Sequence, residues 1–86
     1  MKYKISYDIN LDKVLEKIPK RDAISIKERI EKLADDPRPH GSIKLSGKEF
    51  YRIRSGIYRI IYKIFDDKLI VLVLNVDSRK NVYKMI

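Results

Sequence analysis

Five side chains in the second half of the chain could do chemistry together: Arg52, Arg54, Arg59, Arg79 and Tyr83. They sit in and around Tyr51-Arg52-Ile53-Arg54, Gly56-Ile57-Tyr58-Arg59 and a closing Arg79 and Tyr83. Alternation of arginine with apolar residues places Arg52 and Arg54 on one face of a strand, about 7 Å apart. Guanidiniums at that spacing suit the oxygens of a phosphate backbone, because each offers a planar fork of donors and a permanent charge. Such cations can oppose charge that builds on a phosphate during cleavage. Arg59 projects on the side of its strand opposite Tyr58. A tyrosine hydroxyl such as that of Tyr83 is a poor base at its ordinary pKa near 10, and nearby cations make it more acidic. Its ring can stack on a base.

Charge distribution agrees with a polyanionic partner. The net charge is +8. Residues 1–43 carry ten basic and eight acidic side chains, a net of +2, and residues 44–86 carry ten and four, a net of +6. The positive field therefore belongs to the half that holds the arginines. There is no cysteine and only one histidine, His40. That excludes a disulfide scaffold, a thiol nucleophile and a cysteine-held zinc, and it argues against a histidine pair or a cofactor-bearing metal cage. His40 lies in Pro37-Arg38-Pro39-His40-Gly41 and reads as a surface residue. Asp35-Asp36 and Asp66-Asp67 fall at turns, where aspartate serves the backbone.

The elements that must position these residues follow from periodicity. Lys2 to Tyr7 alternates, with Tyr3, Ile5 and Tyr7 on one face, and reads as a strand. Asn10 is a candidate N-cap. Leu11, Val14, Leu15 and Ile18 define a short helix over 11–18, stopped by Pro19. Ala23, Ile26, Ile30, Leu33 and Ala34 define a second over 20–35, ended by Pro37 and Pro39. Strands are expected at Phe50–Arg54, Ile57–Phe65 and Leu69–Val76, with Ser55-Gly56 and Asp66-Asp67-Lys68 as turns. The last of these is almost wholly apolar, as befits a central strand under helices. Eighty-six residues in this pattern predict one domain, 1–86, of the α+β class. Its order is β-α-α-β-β-β: a helix hairpin on one face of a small, mostly antiparallel four-stranded sheet. The start is charged, with no apolar leader, and the longest apolar run is too short to span a bilayer, so a cytoplasmic protein with no membrane partner is expected.

Lys44-Leu45-Ser46-Gly47, Tyr51-Arg52-Ile53-Arg54, Gly56-Ile57-Tyr58-Arg59-Ile60-Ile61-Tyr62, Val76-Asp77-Ser78-Arg79 and Val82-Tyr83, in this order, resemble the RelE/ParE superfamily of bacterial and archaeal toxins. The resemblance spans essentially the whole chain and is greater to the RelE branch of mRNA-cleaving toxins than to the ParE branch of gyrase poisons. It implies a ribosome-dependent endoribonuclease (mRNA interferase) that cuts mRNA in the A site by metal-free attack of a ribose 2′-OH. It also implies a cognate antitoxin from a neighbouring gene as partner, and no cofactor. By the same resemblance Arg52 and Arg54 hold and polarise the scissile phosphate, and Arg59 stabilises the transition state. Arg79 serves the leaving oxygen, and Tyr83 stacks on the base and acts as general base. Asp77-Ser78-Arg79 stands where many relatives carry Gly-His-Arg. The alternatives are a gyrase inhibitor of the ParE kind without nuclease activity, and an inactive member that only binds its antitoxin.

Overall fold

A computed structural model describes residues 2–45 and 50–78. Its elements are β1 (Lys4–Tyr7), α1 (Leu11–Glu16), α2 (Lys20–Lys32), β2 (Ile43–Lys44), β3 (Phe50–Ser55), β4 (Tyr58–Phe65) and β5 (Ile70–Ser78). The strands form one sheet in the order β1-β5-β4-β3-β2. All pairs are antiparallel except β1 with β5, which is parallel. The paired helices lie on one face, as expected. Ile26, Ile30 and Leu33 are fully buried there against Ile53, Ile60, Tyr62, Val71, Val73 and Val76. The sheet has one strand more than the sequence pattern predicts. The two-residue β2 pairs Ile43 with Arg52 and Lys44 with Tyr51, and so short a segment leaves no periodicity to read.

Both helices end sooner than their apolar stripes suggest. Asn10 caps α1, its Oδ1 accepting from the Lys13 backbone N–H at 3.2 Å. Beyond each helix the bonds tighten to i→i−3, from Ile18 N to Leu15 O, and from Leu33, Ala34 and Asp35 N to Ile30, Glu31 and Lys32 O. The stripe continues through these turns while the α-helix does not. Gly56 at φ +61 and Ile57 form the two-residue turn between β3 and β4. A positive φ at the first turn residue alone matches the type II′ hairpin. Ile57 is therefore turn, 68% exposed, and β4 starts at Tyr58. Leu69 likewise belongs to a turn. It has φ 54, and its carbonyl accepts from Lys4 N at 2.8 Å, tying β1 to the start of β5.

Tyr62 shows how the core is fastened to the proline-rich loop. Its ring is fully buried and stacks on Tyr51 with centroids 5.8 Å apart. Its hydroxyl donates to Pro37 O at 2.8 Å, and burial pushes its pKa up to about 12. Tyr62→Phe keeps the packing and orphans a buried carbonyl, which costs about 1–2 kcal/mol. A fall in Tm of roughly 4–16 °C is expected for a domain of this size, read by thermal denaturation.

Candidate nucleic-acid interface

Cross-strand partners in a sheet share a face, so the registers define rows on the side away from the helices. One row runs Arg54–Arg59–Asp77 across β3, β4 and β5. The next runs Arg52–Ile61–Asn75, and the third Phe50–Lys63–Leu72. The structure thus brings Arg52, Arg54 and Arg59 onto one surface on which no helix of the described residues packs. Arg54 is exposed and Arg52 half-buried. Arg59 differs from expectation: it is only 7% exposed. It sits in the interior strand β4, flanked by Arg54 on one side and Asp77 on the other. Arg52 and Arg59 both interact with other groups of the protein, which holds their charges in fixed places. Arg79 and Tyr83 lie outside the described residues.

Backbone polarity makes the first row unusual. A two-residue hairpin closes on a hydrogen-bonded pair, here Ser55 with Tyr58. Arg54 and Arg59 then form the next, non-hydrogen-bonded pair, the one whose side chains lie closer, with Cα atoms about 4.5 Å apart. Like charges directly opposite are unfavourable in a sheet. The same alternation turns the Arg54 peptide groups towards the β2 side. β2 ends its pairing at Arg52, so among the described residues no strand meets the Arg54 carbonyl. Arg29 of α2 takes that place, its Nε donating to Arg54 O at 3.2 Å. Four residues earlier the ladder is intact, with Leu45 N donating to Phe50 O at 2.9 Å. A helix side chain therefore braces the strand where its most exposed arginine stands.

A second polar cluster, on the helix side, has no counterpart in the sequence reading. Arg38 donates from Nη1 and Nη2 to Asp66 at 3.2 and 2.8 Å, and from Nε to the Tyr51 hydroxyl at 3.2 Å. The Tyr3 hydroxyl donates to Asp66 Oδ1 at 2.6 Å. Asp66 was expected to serve its own turn. It instead joins the β4–β5 turn to the 36–40 loop and to the start of the chain. No local signal marks partners 28 and 63 residues away. The Arg38 hydrogen bonds, then that of Tyr3, hold the Asp66 carboxyl at about 2. A depressed carboxylate contributes stability above its unfolded pKa near 4 and loses it as pH falls towards 2. The pair is exposed, so the effect is modest. Asp66→Asn should melt below wild type at pH 6, and the gap should close by pH 2 in parallel thermal scans.

Three guanidiniums in adjacent rows of one face offer donors and charge of the kind that suits phosphate oxygens. Among the described residues no three His, Asp or Glu side chains gather where they could hold a metal ion. No helix of the described residues is long and apolar enough to cross a membrane.

The match to known proteins extends over this whole framework. A family model described as the ParE toxin of type II toxin–antitoxin systems, parDE, matches residues 8–83. A Methanocaldococcus jannaschii protein to which the toxin name RelE1 has been given is 30% identical, with 98% of each chain covered. Among solved structures, the RelE–RelB complex of Pyrococcus horikoshii OT3 contains a chain that superposes with a TM-score of 0.81 at 27% identity. That match covers 95% of this chain and 100% of the other. The RelBE2 toxin–antitoxin complex of Mycobacterium tuberculosis gives 0.77 at 25%, covering 94% and 95%. The chain belongs to the RelE/ParE superfamily of type II toxin–antitoxin toxins. Its structural matches are to RelE-type toxins in particular.

Proposed function

We propose that this protein is a ribosome-dependent endoribonuclease that cuts mRNA in the A site and so arrests translation in the cytoplasm. The observation that carries the reading is the row Arg54–Arg59 with Arg52 behind it, on the sheet face opposite α1 and α2. Cations gathered on one face of the sheet favour a bound polyanion. The 2′-oxygen attacks phosphorus, the bond to the 5′-oxygen breaks, and the products are a 2′,3′-cyclic phosphate and a 5′-hydroxyl. Arg52 and Arg54 hold the phosphate oxygens. Arg59, nearly buried, is a preorganised charge for the transition state, where a drier site strengthens its field. From the resemblance, Tyr83 takes the 2′ proton and stacks on the base, and Arg79 stabilises the leaving oxygen. The chemistry uses side chains alone. The ribosome supplies the in-line geometry that a shallow surface cannot impose.

An antitoxin from a neighbouring gene is the natural partner, since the Pyrococcus and Mycobacterium structures pair their toxins with one. The second reading, gyrase inhibition, is favoured by the ParE name of the matching family model. Mapping of mRNA 5′ ends in a translation extract separates the two. Cleavage within A-site codons supports the nuclease. Intact mRNA, together with loss of gyrase supercoiling activity, supports the alternative.

A further inference from the structure

The sheet face opposite α1 and α2 has a second half that the arginine rows leave unused. Phe50 stands two residues before Arg52 on β3, facing Lys63 and then Leu72. A register shift between Ile61 and Tyr62 pairs them with Asn75 and Val73, so β5 holds the extra residue Leu74. Phe50, Phe65, Ile61, Leu72 and Leu74 wall and floor a cup of about 310 Å³. Asn75 and Asp8 supply its polar rim. Lys63 bridges the two rings, its Nζ 5.9 Å from the Phe50 centroid and 5.3 Å from that of Phe65.

We infer that this cup takes one nucleobase of the single-stranded RNA whose phosphate lies on Arg52 and Arg54, with preference for a base bearing an exocyclic amino group. The inference rests on the reading of the arginine rows as a phosphate site. Three features point to a base. The cup continues the arginine strand at a two-residue step, about 7 Å, so one strand of RNA reaches both. It joins aromatic rings to a cationic track, the combination that binds single-stranded nucleic acid through stacking and charge. Its volume is at the low end for small-ligand pockets. An amphipathic helix needs a groove for anchors at i and i+7, about 10 Å apart. The polar groups set the preference. The Asn75 amide can donate and accept on either base edge, so Asp8 decides: its carboxylate, an acceptor only, pairs with an exocyclic amino group and is repelled by the carbonyl O4 that uracil carries in its place.

The test is an NMR titration of the full chain with uncleavable 2′-O-methyl tetranucleotides of adenylate or uridylate at low salt. The Ile61, Leu72 and Leu74 methyl signals should move under the ring current of the base. Adenylate should bind about fivefold more tightly than uridylate. Phe50→Ala should weaken adenylate binding about tenfold, and Asp8→Ala should erase the preference, with amide spectra reporting that each variant is folded. Movement at Arg52 and Arg54 without the methyls, a response only to an acidic amphipathic peptide, or no response would each overturn the inference. The titration needs no cleavage. A filled cup without mRNA cleavage in the extract would sink the nuclease and leave the cup. Cleavage with silent methyls would do the reverse.

Discussion

Arg54→Ala is expected to slow single-turnover cleavage on programmed ribosomes by about 10²-fold or more, roughly 2.7 kcal/mol, while ribosome binding changes little. Arg54 is the exposed member of the first row and faces Arg59 in the close pair. On the proposed mechanism its charge acts where negative charge develops on the phosphate, so its loss should fall on the rate. The fold should respond in the opposite sense. Removing one of two opposed cations relieves repulsion, so stability should hold or rise by up to about 1 kcal/mol. The pairing of a lost rate with an undiminished urea midpoint separates a catalytic role from a structural one. Weakened ribosome binding with an unchanged saturated rate would leave Arg54 as a positioning group only.

Ile30→Ala is expected to have the largest effect on stability. Ile30 is fully buried in the second half of α2, in the cluster that joins helix and sheet. Truncation loses the transfer energy of three carbons and leaves a cavity that the neighbouring β-strands close only in part, at about 2–5 kcal/mol. A small domain has roughly 5–15 kcal/mol in total. The urea midpoint should therefore fall by a large fraction with an unchanged m-value. A loss below about 1 kcal/mol would mean that α2 is not seated as described.

How far these features could be read in the sequence depends on their range. The helix stripe at Ile26, Ile30 and Leu33, the Asn10 cap and the alternation of Arg52 and Arg54 are local patterns, and each reads directly. Strand order is not local. β5 reads as central from its apolar run, yet nothing in residues 4–7 says that they pair parallel to it. Arg59 projects on the face that alternation predicts, but its burial is a tertiary property, and no single-strand pattern reports that. Phe50 and Asn75 escaped notice for the same reason. They become a site only when the register sets them two steps from Arg52 and one bulge from Leu72. The roles of Arg79 and Tyr83 rest on the resemblance.

The placement of β5 also governs the order of assembly. It lies between β4 and β1, so the strand nearest the start of the chain waits for one that ends at Ser78. The β3–β4 hairpin closes over two residues and can form early, whereas β1 pairs across more than sixty positions. Contacts of such separation are slow to form because the loop entropy must be overcome first. During synthesis the arginine hairpin therefore exists before the face that presents it is complete. A chain released after Lys68 should show no protected β1 amides in hydrogen exchange, and protection of Ile5 in that fragment would contradict this order. Late closure of the sheet means that the arginine rows come to lie on one finished face only once the chain through β5 is free to fold.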